Sequence, residues 1–400
     1  MAKEVVLVTG SSGCLGQHIV KLLQEKSDNV KEIRLYDIKA YSNELGHSDK
    51  KPMKEYVADI LDMDKLEEAM EGVDCVIHTA AYIDVSLHPD DAKMESVNVR
   101  ACYMDAMCDV YSFHIRLGCM YELRPTCTLC VKARRMSWPP ASRSPCPAWC
   151  TPVPWTWSLP GSTSSTAWRT RRLCLAAGCS VRPPAPSTAP RSPYSRLADV
   201  PSPMIWVSKS LWFAVLGEDK LRTASIRPTV FYGEGDKYFV TKMFEWARKH
   251  NGKFQRVHSL DERLQITYVG NVAWAHLNAK DKLAVDDSVS GEAFYITDET
   301  PIQDVYINTK PYFEAAEGVH LSRNVLPYWI VWILLIITSF LMKFFRPLCS
   351  NLTIPPLPVV DYLCSTFFFN RTKAILRLDY APIYTPEEAQ ERSLAYYKKM

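Results

Sequence analysis

Short apolar runs alternate with amphipathic helical patterns along the first hundred residues. The runs "VVLVT", "EIRLYD", "EYVADI" and "CVIHTAA" predict buried strands, and "GQHIVKLLQEK" and "MDKLEEAMEG" predict the helices between them. This alternation is typical of a parallel sheet with helices on both faces. We therefore expect an α/β fold in which residues 1–100 form one half of a doubly wound parallel sheet.

The alternation returns in the second half of the chain. The patterns "LRTASIRPTVFYGEG", "ITYVGNVAWAHLNAKDKLA" and "GEAFYIT", with a helix from about Thr241 to Lys249, predict that residues 208–310 complete the sheet and form the substrate-binding part. The last region, 311–400, contains an apolar segment at 328–345. We expect a short membrane span or a membrane-embedded helix there, and a buried core helix is the alternative.

The segment 101–207 between these parts follows neither pattern. It holds 15 of the 27 prolines and 6 of the 11 tryptophans of the chain, with no Asn or Gln. Packed domains rarely have such a composition, whereas disordered segments are usually poor in Trp and Cys. We expect this segment to be irregular, disordered and not native to the fold.

Net charge and cysteine content limit which binding partners and which cellular compartment we expect for this protein. The net charge of the 400 residues is only +3, which gives no electrostatic reason to expect nucleic-acid binding. The start of the chain leads directly into the first strand, so we expect no secretory signal and a cytosolic catalytic domain. Nine of the 13 cysteines lie between Cys102 and Cys179, and the others are as sparse as in a reducing compartment.

The motif "TGSSGCLG" stands between the first strand and the first helix. Gly10 permits the tight turn, Gly13 lets the backbone approach a pyrophosphate, and Gly16 lets the helix pack on the strand. The phosphates of a dinucleotide can then accept hydrogen bonds from the amide groups at the start of the first helix, where the helix dipole is positive. The sequence therefore predicts a dinucleotide site.

Asp37 ends the second strand, where a carboxylate can bind both ribose hydroxyls of NAD and repel a 2′-phosphate. NAD is therefore the expected cofactor, and residues 1–100 are the NAD-binding Rossmann half, although Lys39 weakens the preference for NAD over NADP. Asp59 is expected to lie near adenine or to cap a helix. His78 could be catalytic, but we favour a core role. The expected cofactor contacts are Thr9, Gly10, Gly13, Cys14, Leu15, Gly16, Asp37, Asp59, Ile60, Thr79, Ala80, Ala81, Arg227 and Pro228.

Several motifs, in their order along the chain, resemble one enzyme family. "TGSSGCLG", "VADILDMD", "HTAAYIDV", "VNV", "IRPTVFYGEGD" and "YVGNVAWAH" are similar to the 3β-hydroxysteroid dehydrogenase/Δ5–Δ4 isomerases of the extended short-chain dehydrogenase type. The resemblance covers roughly 4–100 and 205–400. It implies oxidation of the C3 hydroxyl of a 3β-hydroxy-5-ene steroid with NAD, followed by migration of the double bond. Sterol-4-carboxylate 3-dehydrogenases share the general plan and are the alternative.

The resemblance also implies a Tyr-x-x-x-Lys pair and a serine as catalytic groups. Lys209 matches the lysine, but Ile205 stands at the tyrosine position, and no Tyr-Thr-Ser-Ser strand precedes it. The pair Tyr238 and Lys242 has the right spacing but follows "IRPTVFYGEGD", so we interpret it as incidental. Tyr82, Ile83 and Asp84 are candidates for the steroid pocket, with a packing role nearly as favoured.

The stretch "AWCTPVPWTWS" offers a test of what the middle segment is. Its codons, read from the third base, are compatible with Leu-Val-Tyr-Thr-Ser-Ser-Met-Asp-Val-Val, which is the missing serine strand. The fixed bases alone force Val at the second place and Asp at the eighth. We therefore interpret 101–207 as a frame-shifted or mis-spliced segment.

Two kinds of protein remain open at this point. One is a steroid dehydrogenase in the endoplasmic reticulum membrane, or alternatively the mitochondrial membrane, with a steroid as its substrate. The other is a catalytically dead or unfolded remnant with at most nucleotide or membrane binding. Cys127 and Cys130 have metal-site spacing, but no second pair completes a site, so no metal is expected. The sequence does not fix the oligomeric state.

Overall fold

A computed structural model describes residues 3–84, 90–100, 128–132, 222–259, 262–344, 355 and 357–400. Its centre is a seven-stranded sheet with the order β10-β6-β5-β4-β1-β2-β3. These strands are β1 Glu4–Thr9, β2 Val30–Asp37, β3 Met53–Val57, β4 Cys75–His78, β5 Thr128–Lys132, β6 Arg222–Pro228 and β10 Glu292–Ile296. Four further strands form two small parallel sheets, namely β7 Val230–Tyr232 with β9 Ile266–Tyr268, and β8 Lys253–His258 with β11 His320–Pro327.

Ten α-helices connect and cover the strands of the described residues. The amino-terminal half holds α1 Cys14–Lys26, α2 Met63–Met70 and α3 Asp91–Glu95, which continues into a π-helical turn, Ser96–Arg100. The later helices are α4 Val240–Lys249, α5 Val269–Val285, α6 Val305–Ala315, α7 Tyr328–Phe344, α8 Leu357–Leu363, α9 Thr372–Leu378 and α10 Pro386–Tyr397. The helix expected from about Thr241 begins at Val240 and ends at Lys249 as expected.

The first strand shows why the sheet is buried on both faces. Every side chain of β1 is buried. Val6 and Val8 join the core cluster that contains residues of α1 and α5, whereas Val5 and Leu7 join the cluster that contains Leu66 of α2. Because side chains alternate along a strand, a continuous apolar run requires cover on both sides. The predicted doubly wound α/β fold is confirmed.

The strand β5 departs from the parallel pattern. β1 pairs in parallel with β2 and β4, and β10 pairs in parallel with β6. β5 lies between β4 and β6 and is antiparallel to both. Its five residues are the described part of the segment 101–207, and their place in the central sheet contradicts the expectation of disorder for them. For the rest of the segment that expectation falls outside the described residues.

The apolar segment near the carboxyl end forms α7. Its Leu335 is buried with Val360 of α8, whereas Trp329, Leu334 and Ile337 are about half exposed or more. Among the described residues, no helix is both long enough and apolar enough to cross a membrane. Helix α7 therefore has one packed side and one large apolar side that no described part of the chain covers.

Candidate functional site

The glycine loop between β1 and α1 is packed so tightly that side chains are excluded. A Cβ atom at Gly16 would lie 2.1 Å from the carbonyl oxygen of Gly10, and one at Gly10 would lie 2.6 Å from the amide nitrogen of Ala80. Gly10 also has a φ of +72°, in the left-handed region that favours glycine. Gly13 is the N-cap of α1 and makes no side-chain cap bond. The first-turn amides of a helix lack intrahelical acceptors, so this turn suits an anion.

Two polar groups complete the fit of this loop to a dinucleotide. The hydroxyl of Ser11 is buried and has no hydrogen-bond partner among the described residues. Asp37 Oδ2 accepts a hydrogen bond from the amide of Ser12 at 3.0 Å, and Asp37 Oδ1 accepts one from the amide of Lys39 at 3.1 Å. The carboxylate of Asp37 therefore lies beside the glycine loop. Sequence reasoning missed Ser11, although an unpaired buried hydroxyl in such a loop is a typical ligand contact.

The ends of β1 and β4 form the floor of this site. Thr79 donates its hydroxyl to the carbonyl of Thr9 at 2.7 Å, and Ala80 packs against Gly10. Ala81 is exposed. His78 is buried, and its Nδ1 lies 2.8 Å from the hydroxyl of Thr9. This contact gives His78 the core role favoured from the sequence.

The residues after β3 are placed partly as expected. Ile60 is buried in the cluster on the α2 side of the sheet, and Asp59 is exposed. The suggestion that Asp59 caps a helix is wrong, because Asp62 caps α2 and accepts from the amide of Lys65. Asp59 instead accepts from the amide of Leu61 at 3.0 Å, and its carbonyl accepts the hydroxyl of Tyr36.

Asn98 joins the loop after β4 to the π-helical turn. Its side-chain oxygen accepts from the amide of Tyr82, and its amide group donates to the carbonyl of Tyr82, both at 2.7 Å. Ile83 is half-buried, and Asp84 accepts from the amide of Asp90 at 3.1 Å. Asn98 thus fixes the backbone of Tyr82, one of the candidate steroid-pocket residues, and the motif "VNV" was the only indication of Asn98 in the sequence.

Arg227 and Pro228 end β6, on the same edge of the sheet as Thr9 and His78. Pro228 is buried and Arg227 is half-buried. Within the described ranges, Arg227 has no carboxylate at ion-pair distance. The structural salt bridge weighed as an alternative role for Arg227 is therefore not formed there.

The catalytic positions Ile205 and Lys209 lie outside the described residues. The other Tyr-x-x-x-Lys pair is described, and its members do not act together. Lys242 forms an ion pair with Glu245 at 2.7 Å, and Tyr238 is 48% exposed. Burial raises the pKa of Tyr238 and outweighs the lowering effect of Lys242. A dehydrogenase tyrosine needs the opposite shift, which agrees with an incidental spacing.

One other cluster in the described part of the chain has metal-ligand chemistry. The ligand atoms of His258, Glu262 and Asp304 lie within 4.8 Å of one another and line a cavity of about 340 Å³. His258 Nδ1 donates to Glu262 at 2.7 Å, and Asp304 accepts from the amide of Tyr306 at 2.7 Å. Since these ligand groups already have protein partners, we assign no metal to this cavity.

Sequence comparison matches the chain to one family. The sequence model of the 3-beta hydroxysteroid dehydrogenase/isomerase family matches residues 7–108 and 189–326, together more than half of the chain. Mouse 3 beta-hydroxysteroid dehydrogenase type 7 is 24% identical over 410 residues, covering 99% of this chain and 96% of that protein. The vaccinia virus 3 beta-hydroxysteroid dehydrogenase/Delta 5-->4-isomerase is 27% identical over 399 residues, with 97% of each covered.

Comparison of structures gives the same fold. The crystal structure of gox2253 is similar with a TM-score of 0.54 and 16% identity, covering 99% of this chain and 98% of that one. The UDP-glucose-4-epimerase of Stenotrophomonas maltophila, solved with bound NAD, has a TM-score of 0.54 and 14% identity at the same coverage. At these identities the likeness concerns the extended short-chain dehydrogenase fold alone.

Proposed function

Since the chain belongs to the 3-beta hydroxysteroid dehydrogenase/isomerase family, we propose that it derives from an NAD-dependent enzyme of steroid biosynthesis. Its family makes it an oxidoreductase. The proposed substrates are 3β-hydroxy-5-ene steroids, oxidised at the C3 hydroxyl. The observation that carries the proposal is the glycine loop beside Asp37, in a chain whose sequence matches this family on both sides of the middle segment.

The proposed cofactor site uses the groups at the carboxyl edge of the sheet. The first turn of α1 and the Ser11 hydroxyl bind the pyrophosphate, and Asp37 accepts the ribose hydroxyls. Asp59 and Ile60 lie toward adenine. Thr79, Ala80, Arg227 and Pro228 border the nicotinamide end. When bound, NAD accepts the hydride removed from C3.

This chain is proposed to retain the residues that bind the cofactor and to lack the tyrosine and serine that take part in proton transfer. Ile205 carries no ionisable group, so Lys209 has no tyrosine to activate. A lost general base typically costs about 10²–10⁴-fold in rate. The antiparallel β5 supports this proposal, because in a doubly wound sheet the reactive groups follow the carboxyl ends of parallel strands, and β5 begins at that edge instead of ending there.

The frame-shift interpretation of 101–207 is part of the same proposal. The family model leaves residues 109–188 unmatched, which supports a foreign segment of about this extent. The match resumes at 189, earlier than the boundary at 208 that we expect from the sequence. Sequencing of the transcript tests this part, because a transcript that encodes 101–207 in this frame only, with no alternative joining, would contradict it.

Association with a membrane is proposed through 328–345, in the endoplasmic reticulum or alternatively in mitochondria, with the catalytic domain in the cytosol. The exposed apolar side of α7 supports it, since an apolar helix face of this size favours burial in an interface. The packing of the other side of α7 against α8 favours a helix that lies in the membrane surface.

Three assays test the proposed function. The chain should bind NAD in calorimetry, and failure to bind would contradict the cofactor part. It should not produce NADH from a 3β-hydroxy-5-ene steroid, and measurable turnover would contradict the loss of the base. A matched chain with the alternative frame restored over 101–207 should turn over that steroid faster than a 4-carboxylated 3β-hydroxysterol. The reverse preference would favour the sterol-4-carboxylate dehydrogenases.

A further inference from the structure

Residues 233–236 form the loop that follows β7. This loop contacts Cys14 and His18, near the start of α1. The carbonyl of Glu234 lies 3.4 Å from Cys14 Sγ, which donates to it, and 3.1 Å from His18 Nε2. A Cβ atom at Gly235 would lie 3.4 Å from the Cα of Cys14. Both Cys14 and His18 belong to α1, so this loop supports the helix end that is proposed to bind the pyrophosphate.

The same loop is held from its other side by the last helix of the fold. The hydroxyl of Tyr397 donates to Asp236 Oδ2 at 3.0 Å and accepts from the amide of Gly233 at 3.1 Å. Tyr397 has no exposed surface. One phenol oxygen thus bridges both ends of the loop.

The remaining contacts of the loop hold the Asp236 end, the Glu234 side chain and the backbone of Gly235, which has a hydrogen bond with the Tyr396 hydroxyl. Asp236 also accepts from four backbone amides at the start of α4, namely those of Tyr238, Phe239, Val240 and Thr241. The carboxylate of Glu234 accepts the hydroxyl of Tyr268 at 2.8 Å. The hydrogen bonds to α1 come from the Glu234 carbonyl, whose direction follows from the backbone on either side, and the Glu234 carboxylate also lies 3.9 Å from His18 Nε2.

We propose that Tyr397 is a positioning residue for the dinucleotide site, acting through the loop 233–236 on the first turn of α1. This inference rests on the proposed cofactor site. Binding of a phosphate by helix amides depends on their alignment, because each amide is effective only near its ideal hydrogen-bond angle and distance. Without the phenol oxygen, the Gly233 amide and one Asp236 oxygen lose a partner, and the loop can move away from α1.

The test compares two buried tyrosines that differ in this one respect. Tyr397→Phe removes the bridging oxygen, whereas Tyr380→Phe removes a buried hydroxyl that has no partner among the described residues. Hydrogen exchange followed by mass spectrometry should show faster exchange in 233–236 and in the first turn of α1 for Tyr397→Phe only. Faster exchange confined to 233–236 would overturn the inference. So would failure of Tyr397→Phe to fold while Tyr380→Phe folds, since the tyrosine would then serve the whole core.

Affinity for NAD gives the second readout. Tyr397→Phe should raise the Kd for NAD about three- to tenfold, in the range for loss of one or two hydrogen bonds, and Tyr380→Phe should leave it unchanged. In a His18→Leu background the Tyr397→Phe effect should be smaller, because one of the two hydrogen bonds from the Glu234 carbonyl to α1 is already lost and only the bond to Cys14 remains. An undiminished effect would overturn the route through the loop. If the parent chain binds no NAD, the proposed cofactor site fails, and the exchange experiment still decides the coupling.

Discussion

Asp37 Oδ2 and the amide nitrogen of Ser12 are joined by a hydrogen bond of 3.0 Å, which ties the end of β2 to the glycine loop. The carboxylate is thereby oriented before any cofactor arrives. Preorganisation of this kind lowers the entropic cost of binding.

Replacement of Asp37 should change cofactor preference. Asp37→Ala removes the proposed acceptor for both ribose hydroxyls and the charge that would repel a 2′-phosphate. We expect affinity for NAD to fall about tenfold, as for loss of charge-assisted hydrogen bonds, and affinity for NADP to fall less. Calorimetry with both cofactors measures this. Glu67→Ala, at an exposed position of α2, is the control and should change neither affinity.

Substitution of Gly16 should abolish cofactor binding through the loop geometry. In Gly16→Ala the new methyl group would lie 2.1 Å from the Gly10 carbonyl oxygen, so the loop must shift. We expect the free energy of unfolding to fall by about 1–3 kcal/mol, typical of overpacking, and NAD binding to be lost. Gly46→Ala is a control with open space around it and a φ of +63°. It should lower stability modestly through backbone strain and leave NAD binding intact, so equal loss of binding in both variants would contradict the geometric explanation.

His276 should make the folded state sensitive to acid. Burial lowers the pKa of His276 to about 4, against about 6.5 in an unfolded chain. As the pH falls, the unfolded state therefore takes up the proton before the folded state does. The contribution of neutral His276 to the free energy of unfolding is fully present above about pH 6.5 and is lost as the pH falls toward 4. The loss amounts to about 3 kcal/mol at full protonation. Urea unfolding of His276→Leu should show a shallower decline over this range than the parent chain. Leu277→Ala, at a buried position of α5 without an ionisable group, is the control and should keep the parent slope.

Membrane binding should depend on the exposed side of α7. Trp329 and Trp332 are 63% and 41% exposed, and both are large apolar groups suited to a bilayer interface. Trp329→Ser with Trp332→Ser should lower partitioning into vesicles of neutral phospholipid by at least about tenfold, since apolar burial drives this binding. Val57→Ser with Val285→Ser removes exposed apolar groups elsewhere and should have little effect. Equal loss in both pairs would indicate nonspecific adsorption.

The parts of the fold that the sequence predicted are those with local causes. The strand β1 is a continuous apolar run, and its burial on both faces follows from that run. Gly10, Gly13 and Gly16 imply a close turn because their spacing acts within one loop. No local sequence pattern indicated the antiparallel direction of β5, because the direction of a strand depends on pairing with strands that are distant in the chain.

The sequence by itself determined the alternation of strands and helices in 1–100, the glycine loop and the carboxylate of Asp37 at the end of β2, and it predicts that Ile205 leaves the chain without a catalytic tyrosine. Only the tertiary structure brought out Ser11, Asn98, the contact of Glu234 with α1, and Tyr397. Tyr397 and Gly233 are 164 positions apart, and their hydrogen bond depends on the packing of α10 against the body of the fold. Periodicity and turn chemistry act over a few residues, whereas such pairs form only when the whole chain has folded.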